Sequence, residues 1–229
     1  MLLRIIKDKI KYRLNRPLRR RKKLLYHFGI TKILDVGANT GQYATELRKI
    51  KFEGEIISFE PISTVFEVLK RNTKDDAKIV LKNFALGDQN ETKTINISKN
   101  LASSSFFNRA KHLEENAKET EYISEEKVEI KTLDSIFDGL CNQGDVIFLK
   151  LDTQGYEKNI LNGGKESLKK IKGIQIELAL KPSYNDAPGY KEIIEILEEY
   201  GFTLFSLEEG FEDEKTGQLL EIDAIFFRL

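Results

Sequence analysis

From residue 32 onward, short uninterrupted apolar runs alternate with stretches of helical spacing. No other property of the chain limits its fold as much. Lys32-Ile-Leu-Asp-Val36, Glu55-Ile-Ile-Ser-Phe-Glu60 and the runs 78–85, 145–151 and 173–180 read as strands. Strands this continuously apolar need helices on both faces, which implies a mostly parallel, covered sheet. Residues 41–50 read as helix. Pro61 ends the second strand, and Ser63 is placed to cap a helix carrying Val65, Phe66, Val68 and Leu69. A helix is expected over 157–170, and Tyr190, Ile193, Ile194, Leu197 and Tyr200 mark another by their spacing. The chain ends in two strands, 202–207 and 221–228, whose short polar connection implies an antiparallel edge.

The middle departs from this pattern. Residues 94–97 and 127–133 read as strands, but 98–126 is polar and charged, with Ser103-Ser-Ser105 followed by Phe106-Phe107. A stretch of this kind is either a lid over a site or a disordered insert. No repeat and no Pro/Gly-rich linker divides the body, so 24–229 is expected to form one domain with 98–126 as its insert. Charged residues at 32% beside 40% hydrophobic exclude disorder along the whole chain. A chain of 229 residues buries enough surface to fold without a disulfide or metal staple. Cys141 is the only cysteine, which fits a reducing compartment, and with two histidines it argues against a zinc site. No apolar run approaches the roughly 20 residues that span a bilayer, and the basic start lacks the apolar stretch of a secretory signal. The expected location is the cytoplasm.

The zero net charge hides an asymmetry. Residues 1–23 hold eleven Lys/Arg and one acid, a net +10, and the remainder is −10. Leu3, Ile6, Ile10 and Leu14 fall at helical spacing, so the start reads as a short basic amphipathic helix ended before Pro17. Residues 1–23 suit docking on an anionic membrane surface, which would be the inner membrane face, or on an acidic protein partner; they suit packing on the chain's own acidic body as well. No nucleic-acid partner is expected, because only Tyr12 interleaves the bases and the acidic body repels phosphates.

Asp35-Val-Gly37-Ala-Asn39-Thr-Gly41 follows the first strand and opens a helix. Glycines there let the backbone approach a ligand closely, and the helix start presents free N–H groups. Glu60 closes the next strand, where an acid accepts hydrogen bonds from ribose hydroxyls. The dinucleotide fingerprint G-x-G-x-x-G fails, since Asn39 takes the second glycine's place. Asp35 would oppose a pyrophosphate but suits a ligand bearing an ammonium group. The turn therefore favours an adenosine cofactor with an amino-acid tail over a nicotinamide one. The plainer reading is a tight turn with Asp35 as a local cap.

Five motifs stand in a particular order: Asp35-Val-Gly-Ala-Asn-Thr-Gly41, Ser58-Phe-Glu60-Pro61, Asn83-Phe-Ala85-Leu86-Gly-Asp88, Thr132-Leu-Asp134 and Lys150-Leu-Asp152-Thr-Gln-Gly155-Tyr-Glu157. In order and spacing they resemble the FkbM-type S-adenosylmethionine-dependent methyltransferases, from about residue 31 to 227. The resemblance implies a class I methyltransferase (Rossmann-like) α/β fold, a seven-stranded, mostly parallel sheet with an antiparallel last strand. It implies S-adenosyl-L-methionine as cofactor and methyl transfer to a hydroxyl of a sugar in a glycan or metabolite. Gly37, Asn39 and Gly41 would line the methionine portion, Glu60 would hold the ribose, and Ala85 and Leu86, with Asp88 nearby, would border the adenine. Asp152 would face the methyl group. Gln154 stands where many relatives have Glu or Val.

The chemistry agrees with these roles. An activated methyl needs alignment and help with a hydroxyl proton. Asp152 is expected to orient the hydroxyl or take its proton, with Glu177 on the next buried strand as partner; a capping role for Asp152 and a solvent-facing Glu177 are the plainer readings. Lys150 is expected to pair with an acid. No metal is expected, since a third ligand beside Asp152 and Glu177 is not evident even with Asn185 or Asp186 in the neighbourhood. His112 is expected to be exposed, and Phe106 and Phe107 to cover a ligand or to pin the insert. Acceptor specificity is expected to lie in 98–126 and around 184–190. A non-catalytic docking module and a nicotinamide oxidoreductase are the alternative functions.

Overall fold

The computed structural model describes residues 16–213 and 215–229. The amphipathic reading of the first fifteen residues lies outside them. The main sheet has seven strands: β1 (Lys32–Val36), β2 (Glu55–Phe59), β3 (Ile79–Lys82), β7 (Ile147–Leu151), β8 (Ile171–Ala179), β9 (Phe202–Glu209) and β10 (Glu221–Arg228). Their spatial order is β3-β2-β1-β7-β8-β10-β9. Every pairing from β3 to β8 is parallel, and β10 is antiparallel to both neighbours. The last strand therefore inserts between β8 and β9, leaving β9 at the edge. A second sheet, ordered β4-β6-β5, is made by β4 (Ala85–Gly87), β5 (Glu91–Ser98) and β6 (Tyr122–Thr132).

The expected third strand is split in two. After β3 the side chain of Asn83 donates to the carbonyls of Glu60 and Pro61 at 2.9 and 3.1 Å. This turns the chain out of the main sheet, and Ala85 then pairs with Ile130 of β6. The capping expectation at Ser63 is also corrected. Helix α3 (Ser63–Thr73) has Ile62 at its N-cap with no side-chain cap bond. Instead, Glu126 of β6 accepts the Ser63 N–H at 3.1 Å, so a carboxylate from the second sheet meets the positive helix end. The helix expected over 157–170 is two, α6 (Glu157–Asn162) and α7 (Lys165–Leu168), interrupted at Gly163-Gly164.

The strands bury both faces, as β1 and β7 show at every position. On one face Leu34, Leu149, Leu151 and Ile176 pack under α5 (Leu133–Leu140), α6, α7 and α8 (Tyr190–Glu199). On the other, Ile33, Ile56, Phe148, Ile225 and Phe227 pack under α1 (Arg16–His27) and α2 (Gln42–Lys49). Helix α1 adds Leu25 to this second face, clustered with Ile225 and Phe227 of β10. Pro17 stands in the first turn of α1, where its missing N–H costs nothing. Leu25 is buried, worth about 2 kcal/mol of apolar transfer. Arg21 is 6% exposed, paired with Glu46 of α2 at 3.0 Å and with Glu208 of β9 at 2.7 Å.

Because Glu208 is itself buried, its charge needs that guanidinium. Arg21→Met is expected to destabilise the chain by about 3 kcal/mol in urea unfolding, and a loss under 1 kcal/mol would show that α1 is not tied down by this pair.

Candidate active site

The chain order reverses between β1 and β7: β2 and β3 lie to one side of β1, and β8 lies beyond β7. Such a reversal opens a crevice at the carboxyl ends of the strands. A cavity of about 410 Å3 lies there, walled by Gly37, Asn39, Glu60, Ala85, Leu86, Asp152 and Glu177 among others. Seven of the ten residues singled out in the sequence thus share one wall. Asp35, Gly41 and Asp88 do not line it.

Gly37 shapes the crevice. Its φ is +74°, and a Cβ there would sit 1.9 Å from the carbonyl oxygen of Asp152, so only glycine lets β1 and β7 exit side by side. Gly41 is the N-cap of α2 at φ 93°, a turn-forming position behind the wall. Asp88 is exposed beyond β4. Asp35 is fully buried and lies 3.2 Å from the ammonium of Lys150. The ammonium that Asp35 calls for is therefore the chain's own. Lys150 pairs with acids as expected: it also lies 3.4 Å from Asp152 and donates to the Gly37 carbonyl at 2.9 Å. Burial alone would lower its pKa, but Asp152 and Asp35 outweigh that and raise it, so the ammonium stays charged.

Glu60 accepts one backbone N–H on each oxygen, from Asn39 at 3.0 Å and Ile62 at 2.9 Å. A carboxylate offers about four lone-pair positions, so two remain for a ligand. Burial pushes its pKa up to about 7 against those two N–H groups. Asn39, at φ 48°, occupies the left-handed region that asparagine tolerates. Around the adenine end expected for Ala85 and Leu86, the wall also includes Phe59, Ile62 and Phe84.

At the other end stand the carboxylates of Asp152 and Glu177. Gln154 lies between them, its Nε2 donating to Asp152 at 3.2 Å and to Glu177 at 3.1 Å. Burial and the charge of Asp152 raise Glu177 well above the usual carboxylate range, with Glu221, Glu157 and Asp223 adding to the shift. Asp152 does not cap the following helix. The N-cap Tyr156 makes no side-chain cap bond, and Glu157 accepts the Thr153 N–H at 2.7 Å and the Thr153 hydroxyl at 2.9 Å and so fixes the turn after β7.

The insert folds over this end. Leu101, Ala102, Ser104 and Phe106 line the cavity, and Phe106 packs on Tyr156 with ring centroids 4.6 Å apart. Phe107 also packs on Tyr156 but stays off the wall. His112 is half-buried on α4 (Lys111–Asn116) and does not reach the cavity. Among the described residues no group of His, Cys, Asp and Glu is arranged to hold a metal. Sequence reasoning gave no role to Glu157 or Asp223, and it placed Tyr184 only within the specificity region and Arg21 only within the basic start. An acid in the first turn of a helix marks Glu157; Asp223 reaches the wall only because β10 pairs with β8, placing it opposite Glu177.

Residues 35–204 match the methyltransferase FkbM domain, and the chain belongs to that family. It is an S-adenosylmethionine-dependent methyltransferase of the class I fold, which removes the nicotinamide alternative. Among solved structures, magnesium protoporphyrin IX methyltransferase (ChlM) from Synechocystis PCC 6803 is 8% identical with a TM-score of 0.51, over 93% of this chain and 78% of that one. The fibrillarin pre-rRNA processing protein of Methanococcus jannaschii is 14% identical with a TM-score of 0.49, over 87% and 66%. Aeropyrum pernix fibrillarin is 12% identical with a TM-score of 0.46, over 85% and 66%. A comparison with curated proteins gives no match.

Glu157 is buried, and its pKa is pushed from 4.5 up to about 7 by that burial. The fold therefore favours its protonated form, and this share of stability is present below pH 4.5 and lost as pH rises through about 7. Glu157→Gln keeps the accepting oxygen and removes the charge. It is expected to be more stable than wild type at pH 8 by about 2 kcal/mol, with the difference gone near pH 4.5, as read by chemical denaturation.

Proposed function

We propose that this methyltransferase acts on a hydroxyl oxygen of a sugar, in a glycan or a small metabolite. The observation that carries the reading is that Asp152 and Glu177, at neighbouring strand ends, face the cavity that also holds Gly37 and Glu60. The residues present fit the cofactor: two free lone-pair positions on Glu60 suit the ribose, and Ala85, Leu86 and Ile62 offer apolar surface to the adenine. Gly37 and Asn39 would lie along the methionine portion, with Asp35 and Gly41 supporting them from behind. When bound, the cofactor supplies a methyl group already activated by positive sulfur. What remains is to place the acceptor oxygen in line and to receive its proton. Asp152, 3.4 Å from the ammonium of Lys150, orients the hydroxyl. Glu177, a stronger base than an ordinary carboxylate, would receive the acceptor's proton.

Asp152→Ala is expected to lower kcat by about 10²–10⁴-fold while leaving the cofactor Kd within about threefold. Glu60→Ala should raise that Kd by about tenfold or more, as removing hydrogen bonds to two hydroxyls implies. Calorimetry with S-adenosylmethionine and product detection over a panel of sugars measure both. Full turnover by Asp152→Ala on the true acceptor would overturn its role; transfer to nitrogen or carbon acceptors alone would overturn the hydroxyl reading.

A second reading concerns residues 1–23. Arg16, Arg19, Arg20 and Lys23 are exposed along one side of α1, continuing the basic run that precedes it. We propose that this face docks on an anionic membrane surface. No described helix is long and apolar enough to cross a membrane. The full chain is expected to sediment with vesicles containing phosphatidylserine and not with neutral ones. Deleting residues 1–15, which spares α1, should weaken the association at least several-fold; equal binding to both vesicle types would remove the idea.

A further inference from the structure

Gln154 is bound at both ends of its side chain and at its backbone. Its Nε2 faces two carboxylates, Asp152 and Glu177, which only accept. Its Oε1 receives the phenol proton of Tyr184 at 2.8 Å. Its carbonyl receives the Ser105 hydroxyl at 2.7 Å. Its backbone stands at φ 55°, a left-handed conformation that costs a non-glycine residue about 1 kcal/mol and tends to persist where the surroundings impose it. That backbone is what carries the amide between the two acids.

Tyr184 is buried, and its hydroxyl also lies 3.1 Å from the carbonyl of Ser103 in the insert. The insert and the Tyr184 segment are zipped together by Ala110 N–H to Ser183 O at 2.9 Å and Asn185 N–H to Asn108 O at 2.8 Å. Leu101, Ala102 and Ser104 of the same insert line the cavity that the carboxylates face. One phenol thus touches the covering loop and the amide that spaces the acids.

We propose that Gln154 and Tyr184 are positioning residues: Tyr184 fixes the amide so that Nε2 faces both carboxylates, and Gln154 thereby sets their orientation and ties it to the covering loop. This rests on Asp152 and Glu177 being the acceptor-facing pair. The phenol is held as a donor, because burial raises its pKa above the ordinary value. The amide acts against a crowded field. Lys150 faces Asp152, with Asp35 behind it on β1; Glu221 and Asp223 of β10 and Glu157 of α6 face Glu177. A donor to an ionised carboxylate favours that form, so removing Nε2 raises the titration midpoint of Glu177 further.

The test uses the full chain with Gln154→Leu and Tyr184→Phe. Carboxyl carbon-13 shifts follow the titration of Glu177 without acceptor, and kcat, acceptor KM and cofactor Kd follow catalysis. In Gln154→Leu the Glu177 midpoint is expected to rise, the acidic limb of the kcat/KM profile to move to higher pH, and kcat to fall about tenfold or more, with the cofactor Kd unchanged. Tyr184→Phe is expected to move the same readings in the same direction by less. An unmoved Glu177 midpoint in a folded Gln154→Leu would overturn the proposal. Should that variant not fold, Tyr184→Phe removes a single oxygen, and an unchanged Glu177 midpoint and kcat in it would overturn the proposal instead. A wild-type enzyme that methylates no hydroxyl acceptor would defeat the function reading alone, because the titration judges the amide separately.

Discussion

The buried ammonium of Lys150 is the contact on which the site depends. It sits on β7 between the exits of two strands, 3.2 Å from Asp35 of β1 and 3.4 Å from Asp152, and it donates to the carbonyl of Gly37. Three groups that would separate if left alone, two acids and a backbone carbonyl, converge on one cation. A buried lysine without them would lose its charge, and buried Asp35 without it would lose its own. The result is a rigid junction at the point where the chain order reverses, with one carboxylate hidden and the other turned to the cavity.

Around that junction the fold distributes two supports. Helix α1 packs Leu25 against Ile225 and Phe227 of β10, and its Arg21 reaches both α2 and the edge strand β9. The second sheet meets the start of α3 through Glu126 and carries the loop that lines the cavity. Both supports join elements far apart in sequence, so the cavity is walled by the beginning, middle and end of the chain.

Much of the architecture was legible. Continuous apolar strands with intervening helices announce a parallel, doubly covered sheet, and the glycine turn and Glu60 mark the edge where its cavity opens. The errors share a cause. The sequence places Asp35 next to the glycine turn, but only strand pairing puts it beside Lys150, 115 positions away, and so turns an expected ligand contact into an internal ion pair. Ser63 has the chemistry of a cap, yet Glu126 takes the helix end because β6 brings it there. Asp88 belongs to a recurrent motif but lies past the strand that would aim it inward.

The sequence by itself determined the fold class, the glycine at position 37 and the presence of acids at the ends of three strands, because these follow from local periodicity and from what a backbone can do without a side chain. Tertiary structure decided which acids meet the cavity, which of them are neutralised, and how Gln154 and Tyr184 are shared between the carboxylates and the covering loop. The reason is physical: charge pairing and burial depend on separations of a few ångströms between segments that the chain keeps tens of residues apart, and only the register of the strands sets those separations.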